Sequence, residues 1–463
     1  MRKKLPDENL ESYRKIEEIN NIAEKGVSSI VSMGSKKKTP FSLDDLHFIP
    51  AQISKIPLNS DQQVNTALTI GKQVKKPLKA SSRIIFSAIS YGAVTKNVRL
   101  ILTKVAAELD LAINTGEDIV VPEIELTAPN LIIQYSTVRL GINDDILKKC
   151  SAVEIRFGQG AYPGWRSVLP AAKVPPEIKK LRRLREGEDE YDLAHHLDIK
   201  NPKELAAKIK WLKELTGGVP VGAKIGCGNV EADVEVLADC GADFIALDGF
   251  GGGTGATELF ARENLGLPIV AALPRADQHL RKIGKRRQVS LIVGGGLRTS
   301  SDFAKCLALG ADAVYIGTSA LIALGCQQYR VCHTGACPTG VTASNPNLLD
   351  LLKVNDGIRR LTNFVHVSNK EMADFTRMVG KDDVSKLCKD DLVALNRDLA
   401  DVTGVKWLDG KSRSRFFVLG YFRKNGFKLP SWQTWELNFC GYFQLVGGFL
   451  QFFKHKAGVV FVF

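Results

Sequence analysis

The sequence predicts an α/β protein built on a (β/α)8 barrel, and three observations carry that prediction. From about residue 81 onward, short apolar runs rich in Val, Ile and Leu alternate with amphipathic helical segments, the pattern of parallel strands covered by helices. Roughly eight such runs occur, and many end in glycine or a polar residue, as strands do when their carboxyl ends open onto a site. The glycine-rich stretches come late, at 248–257 and 294–296. A dinucleotide-binding fold would instead need its GxGxxG after the first strand, with an acid about twenty residues on.

Residues 1–27 are charged and read as helical, and Ser42 in SLDDLHFIP is placed to cap a short helix. The run RIIFSAIS (83–90) reads as a buried strand ending in small residues. Val98, Ile101, Leu102, Val105 and Ala106 then recur at helical spacing over 95–109. Further strands are predicted at 111–113, 131–135, 152–157, 219–225, 243–248, 267–273, 289–296 and 312–317. Helices are predicted at 203–215, where Asn201-Pro202 makes a cap with proline in the first turn, and at 231–240, 302–309 and 319–329. The chain therefore divides into an N-terminal extension packing on the barrel (1–80), the barrel (81–345), a helical segment (346–408) and a tail (409–463).

A chain of 463 residues with 44% hydrophobic and 24% charged residues is neither disordered nor a polytopic membrane protein. Its net charge of +13 favours an acidic partner or surface. Residues 401–463 hold nine Lys/Arg against three Asp/Glu, and 16 of the 35 aromatic residues. With much of the excess there and no recognised module, nucleic acid is not expected as a partner. No apolar run follows the basic start MRKKLPDENLESYRKIEE, and nine unevenly spaced cysteines fit a reducing cytoplasm. From Leu437 to Phe453 the tail carries 17 uncharged residues, including Asn438, Gln444 and Gln451. Three readings stand for it: a docking surface for a subunit, peripheral membrane attachment by a basic aromatic patch, or a tail with no evolved role, such as one read in a shifted frame.

On a barrel frame the phosphate of a cofactor or substrate commonly sits past strands seven and eight. Gly294, Gly295 and Gly296 end one late strand and Gly317-Thr318 the next, leaving backbone N–H groups free to converge on phosphate oxygens. The loop DGFGGGTGAT (248–257), with Gly253 and Thr254, must approach something closely or bend sharply. Lys224 lies inside the apolar strand VGAKIG, where its charge needs a partner such as the pyrimidine edge of a flavin; the competing reading is a packed stem whose ammonium snorkels to water. Asn114, Thr115 and Glu117 in AINTGED, and Gln159 in RFGQGAYPG, follow strands at the barrel mouth. Lys173 could clamp a carboxylate as a point charge. Of the adjacent His195 and His196, one could face the site and the other be satisfied elsewhere.

The strongest single motif is GCQQYRVCHTGACPTGV, in which Cys326, Cys332 and Cys337 make C-x5-C-x4-C followed by Pro338. Three thiolates on a wrapping loop suit an iron–sulfur cluster lacking one corner. Zinc, with His333 as a fourth ligand, and unrelated core thiols remain alternatives. A flavin beside such a cluster has chemical logic, since the flavin exchanges two electrons with an organic substrate and the cluster passes one at a time.

Together with FSLDDLHFIPAQISKIPL (41–58), SAISYGAVTKN (87–97), EIRFGQGAYPG (154–164), HHLDI (195–199) and LVALNRDLADVTGVKWL, these motifs resemble the flavin-binding synthase domain of glutamate synthase. They resemble most closely the free-standing archaeal-type "glutamate synthase domain 2" proteins, from about residue 28 to 408. The resemblance implies FMN and a [3Fe-4S] cluster on the barrel, and reduction of 2-iminoglutarate, formed from 2-oxoglutarate and ammonia, to L-glutamate. Electrons would come from ferredoxin or an NAD(P)H-oxidising partner.

Carried over by motif, Ser87, Ala88, Ser90 and Gln159 would contact the flavin, Lys224 would face its pyrimidine edge, and Gly295, Gly296, Gly317 and Thr318 would hold its phosphate. Glu117 and Lys173 would lie near the oxoacid and imine, and Cys326, Cys332 and Cys337 would ligate the cluster. No glutaminase segment fits before the barrel, so ammonia is expected free or from a separate subunit; a homo-oligomer is also compatible. The sequence departs from the family where NTGEGG becomes NTGED, and where WRSVLPAAK replaces a stretch such as MGSHLPGEK. Those departures keep open another amino or imino acid as substrate, as in N-methylglutamate-forming relatives, or an inactive electron-transfer or scaffold subunit.

Overall fold

Eight parallel strands close into a barrel in the computed structural model, which describes residues 7–119, 121–409, 443–446 and 449–452. The barrel strands are β1 (Ile84–Phe86), β2 (Ala112–Asn114), β3 (Asn130–Tyr135), β4 (Ala152–Arg156), β5 (Val221–Gly226), β6 (Phe244–Asp248), β7 (Ser290–Gly294) and β8 (Ala313–Ile316). They neighbour one another in sequence order, and β8 pairs with β1 to close the ring. Apart from Gly226 and Asp248 at the mouth, every residue in them is buried, as expected of strands with filled barrel on one face and helices on the other.

Ile85, Ala112, Ile132, Ala152, Phe244, Ala246, Ile292, Ala313 and Tyr315 fill the interior. The hairpin Leu68–Ile70/Leu78–Ala80 contributes Leu68, Ile70 and Leu78 to that same cluster. The N-terminal extension is α-helical only in its first part, Asp7–Lys25, and afterwards carries short strands and one 3-10 turn. Ser42 caps the turn Leu43–Asp45 with a reciprocal bond from its own N–H to Asp45, as its position predicts.

The helices at 96–108, 202–215, 230–239 and 300–308 stand within two residues of their predicted bounds. Two predictions are corrected. LPIVAAL is the start of a helix, Ile269–Lys282, with Ile269, Val270, Ala272, Leu273, Ala276 and Leu280 buried. Seven uninterrupted apolar residues display no period, so strand and buried helix look alike in them. The helix predicted over 319–329 ends at Leu324, because Gly325 turns the chain at φ +138°. Beyond the barrel, the helix Val354–Met378 packs on those at 96–108, 300–308 and 318–324, and Leu392–Ala394 pairs with Leu46–Phe48 and Lys406–Trp407.

Of the tail, Phe443–Val446 and Phe449–Phe452 form an antiparallel pair of their own; the rest of the three tail readings falls outside the described residues. Among the described residues no helix is long and apolar enough to cross a membrane.

One polar pair is locked under the barrel mouth. Arg99 and Glu125 are fully buried and lie 2.7 Å apart, and Arg99 also donates to the Ile89 carbonyl. Removing one member strands the other's charge in the interior. Arg99→Leu should therefore cost about 3–5 kcal/mol in denaturant titrations. The double variant Arg99→Leu/Glu125→Leu should recover most of that loss; a double variant no more stable than the single would refute this account.

Candidate active site

The barrel mouth is assembled by backbones in direct contact. A Cβ on Gly160 would sit 2.0 Å from the Gly249 carbonyl oxygen, and one on Gly295 would sit 2.4 Å from the same atom. A Cβ on Gly34, from the N-terminal extension, would lie 2.2 Å from the carbonyl oxygen of Gly251. The loop after β6 is therefore the point on which the loops after β4 and β7 and the extension all close. Gly295 has the further requirement of φ +100°, a region that side-chain-bearing residues avoid.

Above this contact lies a cavity of about 120 Å³. Ser87, Ala88 and Ser90 line it from the β1 end, with Glu117 from the β2 end, Gln159 from the β4 loop and Lys224 from β5. Gly253 and Thr254, Gly295 and Gly296, and Gly317 and Thr318 complete its wall. Every predicted flavin-contact residue thus faces one space. Lys224 is 2% exposed and is not snorkelling: its Nζ lies 3.1 Å from Asp248 Oδ2 and 5.5 Å from the centre of the Tyr315 ring. Asp248 stands diagonally opposite on β6, where Lys224 itself pairs with Ala246.

Glu117 sits at the junction of this cavity with a second. The Gly116 N–H donates to Asn114 Oδ1 at 3.0 Å, which fixes the turn after β2. Asn114 is held in turn by Glu154 inside the barrel, a carboxylate that also accepts from Gln134 and Tyr315. The Glu117 carboxylate accepts from Arg156 Nη1 at 2.8 Å and from the Tyr162 hydroxyl at 3.3 Å. Arg156 serves Asp192 with its other nitrogen, so one guanidinium is shared by two carboxylates. Burial, offset only in part by Arg156, together with the charges of Asp192 and Glu190, pushes the Glu117 carboxyl up to about 7.

The second cavity, about 50 Å³, shares Ser90, Ala93, Glu117, Tyr162, Thr254 and Gly255 with the first. Neither histidine of the HHLDI motif lines either cavity: His196 is buried with Nε2 2.8 Å from the Arg156 carbonyl, steadying the end of β4, and His195 is exposed.

The cysteine loop closes the remaining side. Cys326, Cys332 and Cys337 are 6–7% exposed, and Cys332 also borders the larger cavity. Gln328 and Arg330 adopt left-handed backbone within this loop (φ +55° and +61°), which turns the chain sharply between Cys326 and Cys332. Ser32 accepts from the His333 N–H at 2.8 Å, Arg330 donates to the Gly34 carbonyl, and Met33 Sδ is 3.8 Å from Cys332 Sγ. Lys173 lines neither cavity: fully buried, it donates to the Ala93 carbonyl at 2.8 Å. Burial lowers its pKa to about 8 against the opposing pull of Cys332 and Cys337.

Sequence reading did not find Met33, Arg156, Asp192 or Asp248. Only Arg156 and Asp248 left a signal, each a charge at the end of an apolar strand.

The chain matches the family model for a conserved region in glutamate synthase over residues 14–382. It is 34% identical over 422 residues to an archaeal glutamate synthase (NADPH) of Methanocaldococcus jannaschii, covering 84% of this chain and 83% of that one. A glutamate synthase large subunit-like protein of Rhizobium meliloti is 33% identical over 418 residues, covering 85% and 94%. Among solved structures, an oxidised active mutant of (S)-mandelate dehydrogenase is a distant likeness, at 14% identity and TM-score 0.48 over 76% of this chain and 89% of that one.

The backbone contacts at the mouth make a sharp contrast testable. Gly160→Ala forces a methyl onto the Gly249 carbonyl and should lower stability by about 1–3 kcal/mol. Gly228→Ala, with nothing within 4 Å of the added carbon, should change it by less than about 0.5 kcal/mol. Equal losses in thermal or denaturant unfolding would contradict the close-contact reading.

Proposed function

Since the chain belongs to the glutamate synthase family, we propose that it reduces 2-iminoglutarate, formed from 2-oxoglutarate and ammonia, to L-glutamate, using FMN and a [3Fe-4S] cluster. It is an oxidoreductase of glutamate synthase type. Ferredoxin or an NAD(P)H-oxidising partner would be the electron source, and ammonia would arrive free or from a separate glutaminase subunit. The observation that carries this reading is that one cavity collects the SAIS loop, Gln159, Lys224 and the late glycines, and is bordered by a thiol of the cysteine loop.

The residues present fit both groups. Gly295, Gly296 and Gly317 leave backbone close to the cavity with no Cβ to fill it, and Thr318 adds a hydroxyl beside them, a donor set suited to a phosphate. Ser87, Ala88, Ser90 and Gln159 would border the ring and ribityl chain, with Gly253 and Thr254 across from them. Lys224, oriented by Asp248, would place positive charge at the pyrimidine edge. Among the described residues no three His, Cys, Asp or Glu side chains converge on a single metal ion. Three buried thiols on one loop suit a cluster lacking one corner better than mononuclear zinc, which takes four ligands. When bound, the flavin would supply hydride to an imine carbon, with the cluster feeding it single electrons.

Glu117 is the residue of this chain best placed to hold a proton for the substrate nitrogen. Its carboxyl reaches both cavities, and Tyr162, Ser167 and Arg156 fix its direction. Lys173 would have to release the Ala93 carbonyl to meet a substrate carboxylate. Where it stands, its charge acts between the Ala93 loop and the cysteine loop.

Two outcomes are expected. Anaerobically purified chain should carry about one FMN and about three irons, and Cys326→Ser, Cys332→Ser or Cys337→Ser should lose iron while keeping flavin. Photoreduced protein should then reoxidise on 2-oxoglutarate plus ammonia with glutamate formed. A flavin that stays reduced would point to another imine or an inactive subunit, and folded protein binding neither cofactor would refute the proposal. The second outcome concerns pH. A carboxyl raised to about 7 is protonated below that value and loses its proton as pH rises through it. The step using that proton should therefore slow above about pH 7, and Glu117→Gln should abolish that limb and lower the rate about 10²–10⁴-fold.

A further inference from the structure

The second cavity has an unusual charge inventory. Three carboxyl-bearing residues line it, Glu117, Asp118 and Glu190, and no cation among the described residues does. The nearby guanidiniums are already engaged: Arg156 by Glu117 and Asp192, Arg182 by Glu190, and Arg99 by Glu125. Asp118 is left over. It is 3% exposed and borders the cavity, no cation among the described residues forms an ion pair with it, and its side chain accepts one long hydrogen bond, 3.4 Å from the Tyr91 N–H. Burying such a carboxylate without a partner is costly.

We infer that this cavity is a binding site for ammonium, or a short alkylammonium of the same N–H donor chemistry, with Asp118 as its main anionic partner. The proposal rests on the reading that the adjoining cavity is where the imine is reduced. Three observations select this kind of cation. The carboxyl groups do not converge tightly enough for a metal ion, whereas an ion carrying its own N–H donors can bridge acceptors that are further apart. At about 50 Å³ the cavity takes a few water-sized groups and no more. Val138, Leu140, Val168, Leu169 and Ile178 contribute apolar wall, which disfavours a cation that keeps its full hydration shell, while Ser90, Tyr91, Tyr162, Ser167 and Thr254 add polar groups to the lining.

The two cavities share Ser90, Ala93, Glu117 and Thr254 in their walls, so a nitrogen held here lies beside the place where it is to be incorporated. The chemistry balances. Ammonium passes a proton to the Asp118 carboxylate, and the freed nitrogen forms a bond to the keto carbon. The carbonyl oxygen then leaves as water, taking that proton back into the overall balance, and an iminium results. Burial, with the neighbouring charges of Glu125 and Glu117, holds the Asp118 carboxyl well above the usual range despite Arg99 while the cavity is empty; a cation beside it favours the carboxylate, and loss of that cation's charge lets the carboxyl keep the proton.

Thermal unfolding of the flavin-loaded full chain in ammonium chloride, methylammonium chloride and potassium chloride at equal ionic strength tests this directly. A ligand of the folded state raises the midpoint. Ammonium should protect more than potassium, a cation of similar size without N–H donors, and the difference should vanish in Asp118→Asn. In steady state that variant should raise KM for ammonium about 10-fold or more, while KM for the oxoacid moves less than about two-fold. Methylammonium protecting better than ammonium would uphold the site and assign it to a short alkylamine. Equal protection by ammonium and potassium in the unaltered chain, or a difference that survives Asp118→Asn, would overturn the inference, and the first comparison needs no variant. If flavin fails to load, the function proposed above falls instead, and the same comparison on the flavin-free chain still decides whether ammonium binds.

Discussion

Close contact between backbones at Gly249–Gly251 is the constraint on which the rest of the site depends. Loops from β4 and β7 and a segment of the N-terminal extension meet there at distances that exclude any Cβ on their side. Because the meeting is backbone on backbone, the loops cannot drift apart by rotamer changes, and the cavity above them has a rigid floor. That rigidity is what positions Gln159, Gly253 and the late glycines around one space rather than around three.

Charge is distributed at the mouth with equal economy. Lys224 is neutralised by Asp248, Arg156 is divided between Glu117 and Asp192, and Arg99 is paired with Glu125. Each pair is largely removed from water, where an unpartnered charge would be costly. The result is that carboxyl groups outnumber free cations on the substrate side, and Glu117 is left titrating near neutrality. The proposed cationic ligand and the proposed proton-holding role of Glu117 both follow from the same shortage of positive charge.

The cysteine loop belongs to this arrangement rather than being appended to it. Residues 32–34 of the extension hold His333 and Arg330, and Met33 lies against Cys332 while lining the larger cavity. Lys173 meets the loop from the other side. The extension therefore bridges the two proposed redox groups, which explains why a segment some three hundred residues distant in sequence shares their surroundings.

By itself the sequence determined the barrel, most strand positions, the helix caps at Ser42 and Asn201, the cysteine spacing and the glycine-rich ends. These are local properties: periodicity, turn chemistry and residue type are legible within a dozen residues. The run LPIVAAL marks the limit, since an uninterrupted apolar segment carries no period and only its packing decides that it is a helix. Lys224 announced that it needed a partner, but not that the partner was Asp248, because that depends on the register of β5 against β6. Met33 and Asp192 were decided entirely by tertiary structure, and Asp118 stood out in the sequence as the acid of NTGED but not as a carboxyl without an ion-pair partner. Their roles come from closure of the ring and from loops folding across it, and no short-range pattern encodes which distant residues that closure brings together.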